Sequence, residues 1–231
     1  VAATGLRAAT FFTAAFVATG LRAAAFFAAG FLAAGVLAAG FLAAALLATV
    51  TALVVTYHTG PRLAECLQRA ARLGQWDGGA GQSGNGIACW RIGDPAGGGP
   101  VARIACVATA RAGEGGVRVE RLSVAVDLGR VVNLDIARQQ IEGGLVFGAS
   151  LATGSALQYA AGLPTSGRLA SLNLPTLADC PEIAIEIVPG DGPPADPGEI
   201  GVAIAPPAIA NALHSATGLR LRRLPLLSEG L

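Results

Sequence analysis

GVRVERLSVAVDLG (residues 116–129) followed by VVNLDIARQQIEGGLVFGASLATG (131–154) reads as a strand that runs into a helix. In the first piece Val117 and Val119 share one parity, and Leu122, Val124 and Val126 share the other. A strand with one buried face keeps a single parity, so the switch predicts a β-bulge near Glu120-Arg121. Just upstream, PVARIACVATARA (100–112) is also strand-like, and Gly113-Glu114-Gly115-Gly116 joins the two as a hairpin. In the second piece Asn133 or Asp135 is placed to cap the helix. Ile141, Leu145 and Gly148 then fall on one side of it. Gly143, Gly144 and Gly148 weaken a helix, which points to close packing against a backbone or a ligand.

Working outward, TGPRLAECLQRAARLGQW (59–76) has helical periodicity. Thr59 or the Gly60-Pro61 step starts this helix and Gly74 is placed as its C′ residue. Leu63, Leu67, Ala70 and Leu73 share its apolar face, and Glu65 and Arg69 form an i,i+4 pair. DGGAGQSGNG (77–86) is a glycine-rich connector, and the chain has no Lys with which to build a phosphate-binding P-loop. PEIAIEIVPG (181–190) alternates as a short strand. Pro193, Pro194 and Pro197 stiffen the loop that leads to Glu199. A last helix is expected over 206–216, starting at Pro206-Pro207 and stopping at Gly218. The expected fold is α+β, a hairpin-based sheet with packed helices.

Composition bounds the rest. The 231 residues carry a net charge of +1, which gives no basic surface for nucleic acid. All 16 basic residues are Arg, and Lys and Met are absent. The missing initiator reads as the sign of a fragment. Cys66, Cys89, Cys106 and Cys180 show no CxxC spacing, so buried reduced thiols are expected rather than a metal site. His58 and His214 stand apart, outside any ligand spacing, and no metal ligand is assigned. Arg220, Arg222 and Arg223 read as a solvated C-terminal face.

The chain divides at residue 57. Residues 1–57 are almost entirely Ala, Gly, Leu, Phe, Val and Thr, with Arg7 and Arg22 as their only charges, ATGLRAA at 3–9 and again at 18–24, and a five-residue beat over 28–47. No charge occurs from Ala23 to Tyr57, long enough for one membrane-spanning helix. A repetitive low-complexity translation, out of frame, is the competing reading, because a beat of five matches neither helix nor strand. Residues 58–231 have the composition of an ordinary globular domain.

Four stretches in order then carry a resemblance: 115–150, DCPEIAIEIV (179–188), PGEIGVAIAPPAIANAL (197–213) and ATGLRLRRLPL (216–226). Together they resemble the C-terminal end of the molybdopterin-binding large subunit of the xanthine dehydrogenase/aldehyde oxidase family, in its isoquinoline 1-oxidoreductase β-subunit and aldehyde dehydrogenase-like branch. The resemblance covers residues 60–231. It implies that Gly198-Glu199 is the family's Gly-Glu step, with Glu199 as the catalytic base and Gly198 beside the cofactor. It implies that Gln140 sets its amide against a molybdopterin cofactor, in the cytosine dinucleotide form. The implied reaction is oxidative hydroxylation of an aldehyde or an N-heteroaromatic carbon with oxygen from water. Electrons would pass to iron–sulfur clusters on a small partner subunit. Cytoplasmic and periplasmic placement both remain open, with membrane association through 1–57. The rival expectations are a membrane-anchored, non-catalytic scaffold or binding protein, and a truncated or mis-framed inactive product.

Overall fold

The computed structural model describes residues 60–226, apart from 80, 94–98, 114–115, 166–167, 169–171 and 173. Residues 1–57 and His58, and with them the membrane-helix and low-complexity readings and the Thr59 cap, lie outside the described residues. Among the described residues no helix is long and apolar enough to cross a membrane.

The described elements run α1 (Pro61–Leu73), β1 (Asn85–Ile92), β2 (Ala102–Gly113), β3 (Gly116–Asp127), α2 (Leu134–Thr153), β4 (Tyr159–Ala160), β5 (Leu163–Pro164), a 3-10 turn (Leu177–Asp179), β6 (Glu182–Ile187) and α3 (Ile200–Thr217). The fold is α+β, as the alternation of strand and helix signals implies. The main sheet has the order β1-β2-β3-β6, antiparallel except for the parallel β3–β6 pair. Parallel neighbours need a crossover, which α2 and the segment 154–181 supply. β4 and β5 form a separate small hairpin.

The hairpin register carries the expected bulge. Thr109 pairs with Arg121 while Ala110 pairs with Val119, so Glu120 is the extra residue. Because of it, Val119 joins Leu122, Val124 and Val126 in one buried face with Ile104, Cys106, Ala108 and Ala110. That face packs against α2 and α3. The opposite face, with Ala105, Val107 and Ala125, packs against Leu63, Cys66 and Ala70 of α1. The sheet is therefore the middle layer of three.

Several sequence expectations shift. β1 was not expected. It is an edge strand whose Gly86 sits so close to α3 that a Cβ there would meet the Ala212 nitrogen at 2.0 Å. Gly74 closes α1, but its backbone is right-handed (φ −87°) and the left-handed residue is Gln75. What requires glycine at 74 is space, since a Cβ would meet Val107 Cβ at 2.5 Å. Leu63, Leu67 and Ala70 join the apolar cluster as expected. Cys66 replaces Leu73 there.

α3 begins at Ile200 rather than at 206, and Pro206 and Pro207 lie inside it. An interior proline costs about 3 kcal/mol. Ile200, Ile204, Ile209 and Leu213 are all buried against the sheet side, at roughly 2 kcal/mol each, and this burial carries the helix through. Its end follows expectation: Gly218 is left-handed and its N–H bonds the His214 carbonyl.

All four cysteines are free thiols. Burial pushes the Cys66 thiol up to about 12 and raises that of Cys106 as well. Cys89 is only half-buried and Cys180 is exposed, so the expectation of four buried thiols fails for these two. Cys180 follows a surface 3-10 turn, beyond the reach of either core cluster.

Candidate functional site

Gln140 lies on α2, and Gly198 and Glu199 lead directly into α3, the helix that crosses α2 backbone to backbone. A Cβ on Gly201 would stand 2.7 Å from the Leu145 nitrogen and 2.8 Å from the Ile141 oxygen. A Cβ on Gly144 would stand 3.0 Å from the Gly198 oxygen, and one on Gly148 would stand 2.8 Å from the Val202 oxygen. Gly144 and Gly148 thus pack closely on a neighbouring backbone, as their cost in a helix implies. Gly143 does not: nothing lies within 4 Å of its Cβ position. It faces outward, three residues on from Gln140.

Gln140 lies one turn before Gly144, so the same crossing carries it to the 198–199 step. The Gln140 Oε1 is 3.9 Å from the Cβ position of Gly198. Glu199 follows directly as the N-cap residue of α3. Its carbonyl accepts a hydrogen bond from Ala203 N (3.2 Å), and its side chain makes no capping bond. Gln140 and Glu199 are both exposed. Three residues separated by almost 60 positions are thereby set together on one surface. α2 is itself held in place by Asn133, whose Oδ1 accepts from Ile136 N at 3.0 Å; Asp135 does not cap.

The loop before Glu199 is tied down more firmly than its prolines require. Val188 N bonds Val126 O (2.7 Å), Arg130 N bonds Gly192 O (2.9 Å) and Ala195 N bonds Leu128 O (2.9 Å). Gly198 N then donates to Asp196 Oδ1 at 2.8 Å. Beneath this loop lies Asp127, fully buried, which accepts from Arg62 Nε (2.9 Å), Arg103 Nη1 (3.2 Å) and Gly129 N (3.0 Å). Burial by itself would push this carboxyl up. The Arg62 hydrogen bond, the Gly129 N–H and the two guanidinium charges outweigh it and hold Asp127 below the usual carboxylate range. Arg62 also donates to the Pro189 carbonyl (2.7 Å), which joins α1 to the loop.

Sequence reasoning missed Asp127, Asp196 and the two arginines. One signal was present. Asp77-Gly78-Gly79, Asp127-Leu128-Gly129 and Asp196-Pro197-Gly198 share an Asp-x-Gly spacing, and in each the glycine N–H bonds the aspartate Oδ1. This is the local bond that makes Asp a turn residue.

The other sequence candidates stand apart from this surface. Among the described residues no three His, Cys, Asp or Glu side chains gather as metal ligands. His214 lies half-buried in the last turn of α3. Arg220, Arg222 and Arg223 are exposed, and Arg220 donates to Asn211 Oδ1 at 2.9 Å. A cleft of about 670 Å³ lies between the hairpin end, the C-terminal half of α2 and residues 174–181, and includes none of Gln140, Gly198 or Glu199.

The surface suits a flat, polar, heteroaromatic cofactor. Gln140 offers an amide that both donates and accepts. Gly143 and Gly198 present backbone without side chains. Ile136 and Phe147, exposed on the same face of α2, flank the amide with apolar surface.

Comparison with known proteins agrees with this chemistry. Residues 54–181 match the model of the molybdopterin cofactor-binding domain, a match that contains Gln140 and ends before Gly198. The membrane-bound aldehyde dehydrogenase [pyrroloquinoline-quinone] of Gluconacetobacter polyoxogenes is 36% identical over 48% of this chain and 14% of its own length. Isoquinoline 1-oxidoreductase subunit beta of Brevundimonas diminuta is 31% identical over 73% of this chain and 22% of its own. The aldehyde oxidoreductase molybdenum-binding subunit PaoC of Escherichia coli K12 is 31% identical over 51% and 17%. The chain thus spans less than a quarter of the length of these relatives. With more than half of its residues inside the matched cofactor-binding domain, the chain belongs to the molybdopterin-binding xanthine dehydrogenase/aldehyde oxidase family.

Proposed function

We propose that residues 58–231 form the part of a molybdenum hydroxylase that presents the catalytic base and one cofactor contact. The reaction is oxidative hydroxylation of an aldehyde or of an N-heteroaromatic carbon, with oxygen from water. The single observation that carries this reading is the meeting of Gln140 with the Gly198-Glu199 step, 3.9 Å from amide oxygen to the Gly198 Cβ position. The bound molybdenum cofactor, in its cytosine dinucleotide form, supplies the two-electron redox chemistry. Glu199 accepts the proton that the attacking oxygen gives up. Gln140 orients the cofactor through its amide, and Gly198 keeps the approach free of a side chain. Proton transfer by a positioned carboxylate is worth 10²–10⁴-fold in typical cases.

The substrate classes rest on the printed names of the relatives, which include aldehyde and isoquinoline oxidoreductases. Those names also describe subunits, which supports a partner polypeptide. We assign that partner the iron–sulfur clusters that take the electrons onward.

The test is a pair of variants loaded with cofactor. Glu199→Gln keeps the pterin, read by its fluorescence after release, and loses turnover by about 10²–10⁴-fold. Gln140→Ala lowers the amount of pterin retained. Wild-type turnover in the first variant and wild-type retention in the second would overturn the assignment.

A further inference from the structure

The geometry points to Asp196 as a positioning residue that sets the bend carrying Glu199, an inference that rests on the reading of Glu199 as the base. The loop is fastened at two ends. On one side Ala195 N is bonded to Leu128 O at 2.9 Å, at the end of β3. On the other, α3 is seated on α2 where Gly201 meets Ile141 and Leu145. Between these points the chain must turn from an extended loop into a helix within a few residues. The side-chain bond that bridges the interval is the one from Gly198 N to Asp196 Oδ1, 2.8 Å.

Gly198 has two polar side chains close to it. From its Cβ position, Asp196 Oδ1 is 3.2 Å away and Gln140 Oε1 is 3.9 Å away. The Asp196 carboxylate therefore holds the Gly198 N–H within reach of the Gln140 amide. Pro197 between them fixes φ, so the turn has little freedom left once that bond forms. Glu199, whose own side chain caps nothing, inherits its direction from this turn. Asp196 is exposed and joins no core cluster, so its role is one of direction rather than of global stability.

The experiment is solution NMR and hydrogen exchange on the full chain, comparing Asp196→Ala and Asp196→Asn with wild type. Asp196→Ala removes the acceptor. The Gly198 amide is expected to exchange on the order of fivefold faster, as for one lost hydrogen bond of about 1 kcal/mol, and the Gln140 side-chain amide signals to shift. Asp196→Asn keeps an oxygen at the same place and is expected to restore both. Thermal midpoints differ by no more than a few degrees, the shift that one such bond implies. Unchanged Gly198 exchange and unchanged Gln140 signals in Asp196→Ala would overturn the proposal, and so would a loss of global stability that accounts for both changes. The reading of Glu199 as base fails separately: Glu199→Gln would then turn over like wild type while the Asp196 dependence of Gly198 persisted.

Discussion

Gly143 and Gly201 show how far the meaning of one residue type depends on what stands opposite. Gly143 has open space at its Cβ position, whereas Gly201 has the backbone of Ile141 and Leu145 within 3 Å. Gly143→Ala is therefore expected to stabilise the chain by about 0.5–1 kcal/mol, the helix cost of glycine. Gly201→Ala forces two helices apart and is expected to destabilise by about 1–3 kcal/mol. Urea unfolding of the two variants checks the contrast, and equal effects would refute the crossing. From sequence, Gly143, Gly144 and Gly148 carried the same signal of a weakened helix, and only the neighbours separate them. Gly74 teaches the same lesson. A glycine after a helix reads as a left-handed cap, yet here the side chain is excluded by Val107 from a strand over thirty residues away.

At the scale of elements, the bulge in β3 is the feature most fully legible beforehand. The parity change between Val119 and Leu122 has one solution if both are to face the core, and Glu120 supplies it. Excising Glu120 should leave Val119 opposite Ala110 and Arg121 opposite Thr109, now in regular register. The deletion variant is expected to fold with Val117 and Val119 still turned inward, at the cost of the exposed Arg111–Glu120 pair (3.0 Å), worth no more than about 1 kcal/mol. Methyl contacts from Val119 to α2 by NMR would report it, and their loss would mean that the bulge sets the register rather than absorbing it. α3 is the counterexample. Local rules place a helix start at the two prolines, and its first turn forms six residues earlier because Ile200 and Ile204 are buried.

For the whole molecule, the buried Asp127 ties α1 through Arg62, β2 through Arg103 and the turn after β3 through Gly129, and Arg62 extends the tie to the loop at Pro189. Its carboxyl is held below the ordinary range in the folded state. The stability it contributes is thus fully present above the ordinary carboxylate value and is lost as pH falls through the lowered folded value. Asp127→Asn is expected to destabilise by about 3 kcal/mol at pH 7, because two arginines lose their partner. The gap from wild type should narrow on acidification. Urea midpoints at pH 7 and pH 3 test this, and a gap independent of pH would show that the charge is not what matters. The same anchor lies beneath the loop that delivers Glu199, so the variant also loosens the candidate site.

What the sequence by itself determined is what depends on near neighbours: strand parity and its bulge, a cap at Asn133 or Asp135, the Gly218 stop, the Glu65–Arg69 pair and the family resemblance. These rest on hydrogen bonds and side-chain periods a few residues long, which the order of residues specifies directly. Only the tertiary structure decided that a glycine-flanked run at 85–92 becomes an edge strand, that α3 runs through two prolines, that Asp127 sits beneath the loop, and that Gln140 meets Gly198. Each of these depends on which faces are buried together. That is settled by distant segments competing for the same apolar surface, a competition no short window of sequence contains.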